Sequence, residues 1–407
     1  MKICLLLFSL FLIVNSLFSQ NNFNNSDLKL IDSLLSNTSA LRKVWLDTEK
    51  HRLQIIYTRV FNNNKLHLEN YIYNLSDELY FYPASLVKLP VCIFALEKLN
   101  KLKPLGVKID TKLSIDRNFN CQTAVVKDKL SDNLIPTLRN YILKALILSD
   151  NESYNRLYEF VGQEYMNKRL VELGYKKSKI IIRFSPCDTN ENRHTNGFKF
   201  YNNSGKQIYY QKPAFSNISL SPPIPNMKIE GFYNSNDKRI NSLKDFSYMN
   251  FFPLLDMHDL LIHLVHPELY KNQLFITNEN RKLILESLSS KPKECSIKKI
   301  AHNKFYYDFY TNYLYYGSEK NILENKLLKI YNIVGQSYGF LSDVAYFKDS
   351  TNNIEFFLSA VIYNNNSSVI ENDIYQYNSI GLPFLRDLGK CVYNFELGKR
   401  KKISNLK

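Results

Sequence analysis

Apolar and polar positions alternate in strand fashion near both ends of the chain and recur at helical spacing through its middle. Residues 53–61 are rich in β-branched and aromatic side chains, Asn62-Asn63-Asn64 marks a turn, and 67–73 reads as a second strand. Pro83-Ala84 then leads into a helix over 85–102, where Leu86, Leu89, Ile93, Leu96 and Leu99 fall at helical spacing. Further helical periods cover 134–148, 154–173, 254–265 and 278–288. Strand patterns return at 328–334, 344–348 and 354–363, and a last helix is expected over 381–395. Residues 196–245 show no period. They are polar and aromatic-rich, contain Pro222-Pro223-Ile224-Pro225, and read as an insertion of loops and short strands.

This order predicts an α/β (α+β) architecture in which one sheet is assembled from both chain ends and an all-helical lobe is inserted between them. Short connections among the late strands favour antiparallel pairing. Neither half of the chain supplies a complete sheet alone, so we expect a single domain over 40–395. Its sheet part is 40–82 and 325–395, and its helical lobe is 83–324 with the insertion at about 197–245.

The first residues change the setting. Met1-Lys2, an apolar run over 5–14 broken by Ser9 alone, and small residues at Ser16 and Ser19 have the layout of a cleaved export signal over 1–19. The run is too short to span a bilayer, and no later segment has the length or apolarity of a membrane span. The expected setting is therefore periplasmic or secreted, with 20–39 as a tether and 396–407 as a basic tail. Five cysteines follow the signal, Cys92, Cys121, Cys187, Cys295 and Cys391, far apart and without C-x-x-C. That argues against a zinc site or a disulfide scaffold and leaves room for a bridge or two. The net charge of +15 is partly terminal, in Lys399, Arg400, Lys401, Lys402 and Lys407, and otherwise scattered. A nucleic-acid footprint is striped along one face; this charge instead suits loose electrostatic association with an anionic cell envelope.

Two short motifs carry chemistry. Ser85-Leu86-Val87-Lys88 opens the first long helix, placing a hydroxyl and an amine on one face beside free helix N–H groups. A lysine made neutral by burial takes a serine proton, which is the beginning of an acyl-transfer nucleophile. Ser-x-x-Lys recurs elsewhere in the chain, but only this copy has an apolar, aromatic lead-in, Pro-Ala before it and a long helix after it. The second motif is Ser149-Asp150-Asn151, between two helical stretches. Ser131-Asp132-Asn133 spells the same tripeptide where turn and capping chemistry explains it.

Ser85-x-x-Lys88, then Leu148-Ser149-Asp150-Asn151 with Asn155, then a late strand ending near glycine, resembles the penicillin-recognising serine hydrolases and most closely the class A β-lactamases. The resemblance spans roughly 53–395 and implies a β-lactamase-like fold. It implies Ser85 as the acylated nucleophile, Lys88 as its base or relay, Ser149 as proton donor to the leaving nitrogen and Asn151 as a substrate contact. The late strand departs from the family's Lys-Thr-Gly: Ile333-Val334-Gly335 stands there, followed by Gln336 and Ser337. Gly335 suits close backbone approach, Gln336 offers an oxyanion N–H and Ser337 a hydroxyl for substrate. For the glutamate that activates water in class A enzymes, Glu191 in the polar loop 187–196 is the candidate, with Asn196 nearby.

The expected activity is an exported serine hydrolase opening a β-lactam or related amide, on a small-molecule or peptidoglycan-derived substrate, without metal or organic cofactor. Alternatives are a penicillin-binding-type peptidase, an esterase, or a catalytically silent cell-wall binder. The last rests on the lost lysine and on Tyr201, Tyr209, Tyr210, Phe215 and Tyr233 as sugar-stacking rings; packing against the helical lobe is their other reading.

Overall fold

The two ends of the chain meet in one antiparallel sheet. The computed structural model describes residues 25–404 apart from 64, 77, 220, 230–231, 236–237, 241, 368 and 371–373. The expected export signal and the first residues of the tether lie outside the described residues. Strand β1 (Gln54–Asn63) pairs with β2 (Lys65–Tyr73) on one side. On its other side it pairs with β12 (Ile354–Tyr363), in register from Gln54↔Val361 to Arg59↔Phe356. β11 (Phe340–Asp349) and β10 (Lys329–Ser337) complete the five-stranded order β10-β11-β12-β1-β2, with β10 at an edge. Every residue of β11 except Lys348 is buried, because both faces of the sheet are covered.

One face packs on the helical lobe. Helix α3 (Lys88–Leu102) runs through that core and is buried nearly all round, from Leu89 to Leu96 without interruption. Around it lie α4 (Leu138–Ile147), α5 (Asn151–Val161), α6 (Gln163–Leu173), α7 (Leu254–Val265) and α8 (Asn278–Ser289), with the short α9 (Lys298–Ala301) beyond. The single helical stretch expected over 154–173 is two helices. Gly162, at φ +90°, separates α5 from α6, a conformation costly for any residue with a β-carbon. His258 on α7 ties the lobe to the sheet, bonding Thr58 Oγ1 at 2.8 Å and Ser359 Oγ at 2.7 Å.

The opposite face is covered by α1 (Asn25–Leu35), α2 (Ser39–Trp45) and α10 (Leu382–Ser404), the last entered through a π-helical turn at Tyr377–Gly381. The segment expected to be a tether is thus largely helical and contributes Ile31, Leu34 and Leu35 to the core. The last helix likewise continues past residue 395 through the basic residues, whose helix propensity is good. Among the described residues no helix is long and apolar enough to cross a membrane.

The insertion is organised by small sheets. β3 (Lys112–Ile115), β4 (Phe198–Tyr201) and β5 (Gln207–Gln211) form one; β6 (Lys228–Ile229) pairs with β9 (Lys244–Asp245). β7 (Phe232–Ser235) and β8 (Lys238–Ile240) join β13 (Val369–Ile370). Of its aromatic residues, Tyr209 packs on Phe200 and the main core, and Tyr201 bonds Ser114, as core packing requires.

Candidate active site

Ser85 sits in a 3-10 turn, Ala84–Val87, that runs directly into α3. Ala84, just before it, is held at φ +45°, and Ser149 is at φ +56°. Tyr338, in the hairpin between β10 and β11, is at φ +51°. Left-handed backbone at three residues with side chains costs on the order of 1–3 kcal/mol each. All three lie at one place, where the Ser85 turn, the α4–α5 junction and the edge strand converge.

Lys88 joins these elements. Its side chain is fully buried, and Nζ lies within hydrogen-bond reach of four oxygens, Ser85 Oγ at 2.8 Å, Ser149 Oγ at 3.0 Å, Asn151 Oδ1 at 2.8 Å and the Ser149 carbonyl. Nζ also lies 5.4 Å from the centre of the Phe184 ring. Burial pulls its pKa down to about 7, against an opposing pull from the Asp150 charge. Asp150 caps α5 by accepting from Ser153 N at 2.7 Å, which fixes the turn that presents Ser149 and Asn151. The other copy, Ser131-Asp132-Asn133, is spent locally: Ser131 Oγ donates to Asp128 O, and Asp132 accepts from Lys298 N and Lys299 N.

Ser85 and Asn151 open onto a cleft of about 390 Å³, with Gln336, Ser337 and Tyr338 on the edge-strand side and Ile182 to Ser185 opposite. Tyr82 and Met249 complete its wall. Ile333 is buried in the core between sheet and lobe, and Val334 in the core on the other face, as strand alternation dictates. Gly335 faces the Ser85 turn, and Gln336 Oε1 accepts from Tyr313 OH at 3.2 Å. Tyr338-Gly339 closes the hairpin with both φ positive, the geometry of a primed turn. Tyr338 is packed at 5.1 Å from Tyr82 and 5.3 Å from Phe246.

The loop before residue 197 is built differently from expectation. Glu191 lies in a 3-10 turn where its carboxylate accepts from Asp188 N at 2.8 Å, and it is not among the residues lining the cleft. Asn196 is fully buried and donates to Glu159 at 2.9 Å. Arg183 is buried, with Nε on Glu159 at 3.0 Å and its other nitrogens on Asn192 and the carbonyls of Glu191 and His194. Asn155 Oδ1 accepts from Phe184 N at 2.8 Å, so this scaffold presents Phe184 and Ser185 to the cleft. A disulfide, Cys121–Cys187, anchors the loop; its two sulfurs and Glu191 are the one cluster of metal-ligand types among the described residues, and the bridge leaves no thiolate in it. The cleft also contains residues that no sequence motif marks: the aromatic Tyr82, Phe184 and Tyr338, and Ser185 and Met249, whose positions carry no local signal.

Residues 48–207 match the model of the β-lactamase enzyme family. No curated protein matches the chain. Among solved structures, TLA-3 extended-spectrum β-lactamase is 14% identical with a TM-score of 0.50, covering 90% of this chain and 99% of its own. A β-lactamase from Chitinophaga pinensis DSM 2588 is 9% identical at TM-score 0.50, covering 91% and 99%. PBP-A is 12% identical at 0.51, covering 91% and 95%. The chain therefore has the fold of the penicillin-recognising serine hydrolases, and its residues 48–207 match the β-lactamase enzyme family.

Proposed function

We propose that this chain is an exported serine hydrolase that opens a β-lactam or related amide through an acyl-enzyme on Ser85. The observation that carries the reading is the buried Lys88 amine 2.8 Å from Ser85 Oγ, with a pKa lowered to about 7. A substantial share of Lys88 is then neutral at physiological pH and takes the Ser85 proton as Oγ attacks the carbonyl carbon. Ser149 Oγ, also on Lys88, hands a proton to the leaving nitrogen as the C–N bond breaks, and Asn151 orients the substrate amide. The N–H groups of Ser85 and Gln336 receive the oxyanion. β10 is suited to this as an edge strand, whose outward N–H groups are not taken up by a neighbouring strand. Ser337 offers a hydroxyl to the substrate where the family carries a charged and a hydroxyl-bearing pair. The Cys121–Cys187 bridge supports an oxidising compartment, periplasmic or secreted.

A fluorescent penicillin tests this. Covalent labelling of the purified protein, lost in Ser85→Ala, together with nitrocefin turnover, is expected. No labelling, with Ser85→Ala behaving as the parent, refutes it.

A further inference from the structure

We propose that the cleft takes an acyl donor that is uncharged beside its scissile bond and bears an aromatic acyl side chain. This deepens the acyl-enzyme reading above and rests on it. The first ground is the charge of the wall. Among the described residues lining the cleft there is no lysine, no Asp or Glu, and one arginine. That arginine, Arg183, is 3% exposed, and its guanidinium is spent on Glu159 at 3.0 Å, on Asn192 and on the carbonyls of Glu191 and His194. Lys88 stands behind Ser85, fully buried and outside the wall. The strand positions before Gly335 bring no cation, since Ile333 and Val334 are buried in the cores on opposite faces of the sheet. Lys244, on β9, has Nζ 5.6 Å from the centre of the Tyr338 ring and does not line the cleft. What the wall offers a substrate is neutral: the hydroxyls of Ser85, Ser185 and Ser337 and the amides of Asn151 and Gln336. A carboxylate entering it exchanges water for neutral donors alone, without the cation that makes such a bond strong. An ammonium group likewise finds no carboxylate there.

The second ground is the apolar part of the wall. Ile182 and Phe184 stand opposite Tyr338, with Tyr82 and Met249 completing the lining. These rings are held by their own packing. Phe184 stacks on Tyr154 at 4.3 Å, and its N–H is fixed by Asn155. Tyr338 lies 5.1 Å from Tyr82 and 5.3 Å from Phe246. Burial pushes the Tyr82 phenol up, so it adds no charge. A cleft of about 390 Å³ has the size of a small-molecule site. Aromatic side chains on both of its sides suit a further ring between them, and placing it there costs little reordering.

Benzylpenicillin and its methyl ester test the charge, because they share the acyl group and the lactam and differ only in the carboxylate. Acylation of Ser85 is followed by intact-protein mass spectrometry at neutral pH in about 0.15 M salt, which screens the long-range pull of a chain of net charge +15. The methyl ester should acylate faster, by about tenfold; an acid that reacts as fast as the ester, or faster, overturns the proposal. The side chain is tested by exchanging phenylacetyl for acetyl within the methyl ester. The phenylacetyl compound should react about tenfold or more faster, and equal rates or a faster acetyl compound overturn the proposal. Either failure leaves acylation of Ser85 standing. If none of the three compounds forms an adduct that Ser85→Ala abolishes, the acyl-enzyme reading falls together with the proposal.

Discussion

Gly335 lies so close to Pro83 that a β-carbon on the glycine would stand 2.5 Å from the Pro83 carbonyl oxygen. The same β-carbon would meet Ser342 Oγ at 2.5 Å and Leu86 Cγ at 3.3 Å. The edge strand therefore rests directly on the turn that carries Ser85, and the missing side chain sets the distance between that turn and the strand.

Gly335→Ala should force β10 away from that turn, because a main-chain carbonyl in the 3-10 turn has little room to yield. We expect kcat/KM to fall about tenfold to a hundredfold, with a stability loss of about 1–3 kcal/mol. Acylation rates beside urea unfolding check this; an unchanged acylation rate counts against the contact.

Lys88 predicts a pH dependence of stability with a definite sign. In the unfolded chain it titrates as an ordinary lysine, while burial lowers it to about 7 in the fold. Between those values the unfolded state holds the proton and the folded state does not, so stability rises with pH, by at most about 1.4 kcal/mol per unit. Below about pH 7 both states are charged and burial is penalised in full. The difference in unfolding free energy between the parent and Lys88→Met should therefore grow from pH 7 to pH 9; a flat or falling difference contradicts it.

The Cys121–Cys187 bridge closes a loop of 66 residues in sequence separation and holds the segment that carries Phe184 and Ser185. Replacing both cysteines with serine should cost up to about 4 kcal/mol by loop-closure entropy and slow acylation by loosening that wall. Denaturation and labelling with and without reductant measure both effects.

Glu97, buried on α3, accepts from Arg169 Nε at 2.9 Å, Arg169 Nη2 at 3.1 Å, Tyr165 OH at 3.2 Å and Phe275 N at 2.9 Å. Arg169→Ala strands this carboxylate and should destabilise the fold by about 3–5 kcal/mol. The double variant with Glu97→Gln should recover part of that loss, because the uncompensated charge is gone.

The long helix after Ser85 and the three late strands were legible because their apolar periods are strong and local. β12 spans Ile354–Tyr363, as its pattern reads. The break at Gly162 was less legible, since α5 is buried without a gap from Ser153 to Val161 and α6 starts one residue after the glycine, so no polar stretch separates them. The first helix was obscured by Asn and Ser, yet Ile31, Leu34 and Leu35 bury its face against the far side of the sheet. Tertiary packing there outweighs weak local propensity.

From sequence alone, Ser85 and Lys88 had to share a helix face, because three residues make almost one turn, and the sheet had to draw on both chain ends. Sequence also set Ser149-Asp150-Asn151 apart from its copy at Ser131 by the helices on either side. Only the tertiary structure decided that Ser149 and Asn151 close on Lys88, that burial lowers the pKa of its amine to about 7, and that Glu191 stays out of the cleft while Phe184 and Ser185 line it. The reason is physical. Helix and strand periods are written in neighbouring residues, whereas desolvation, and the facing of one loop toward another, arise only when distant segments pack together.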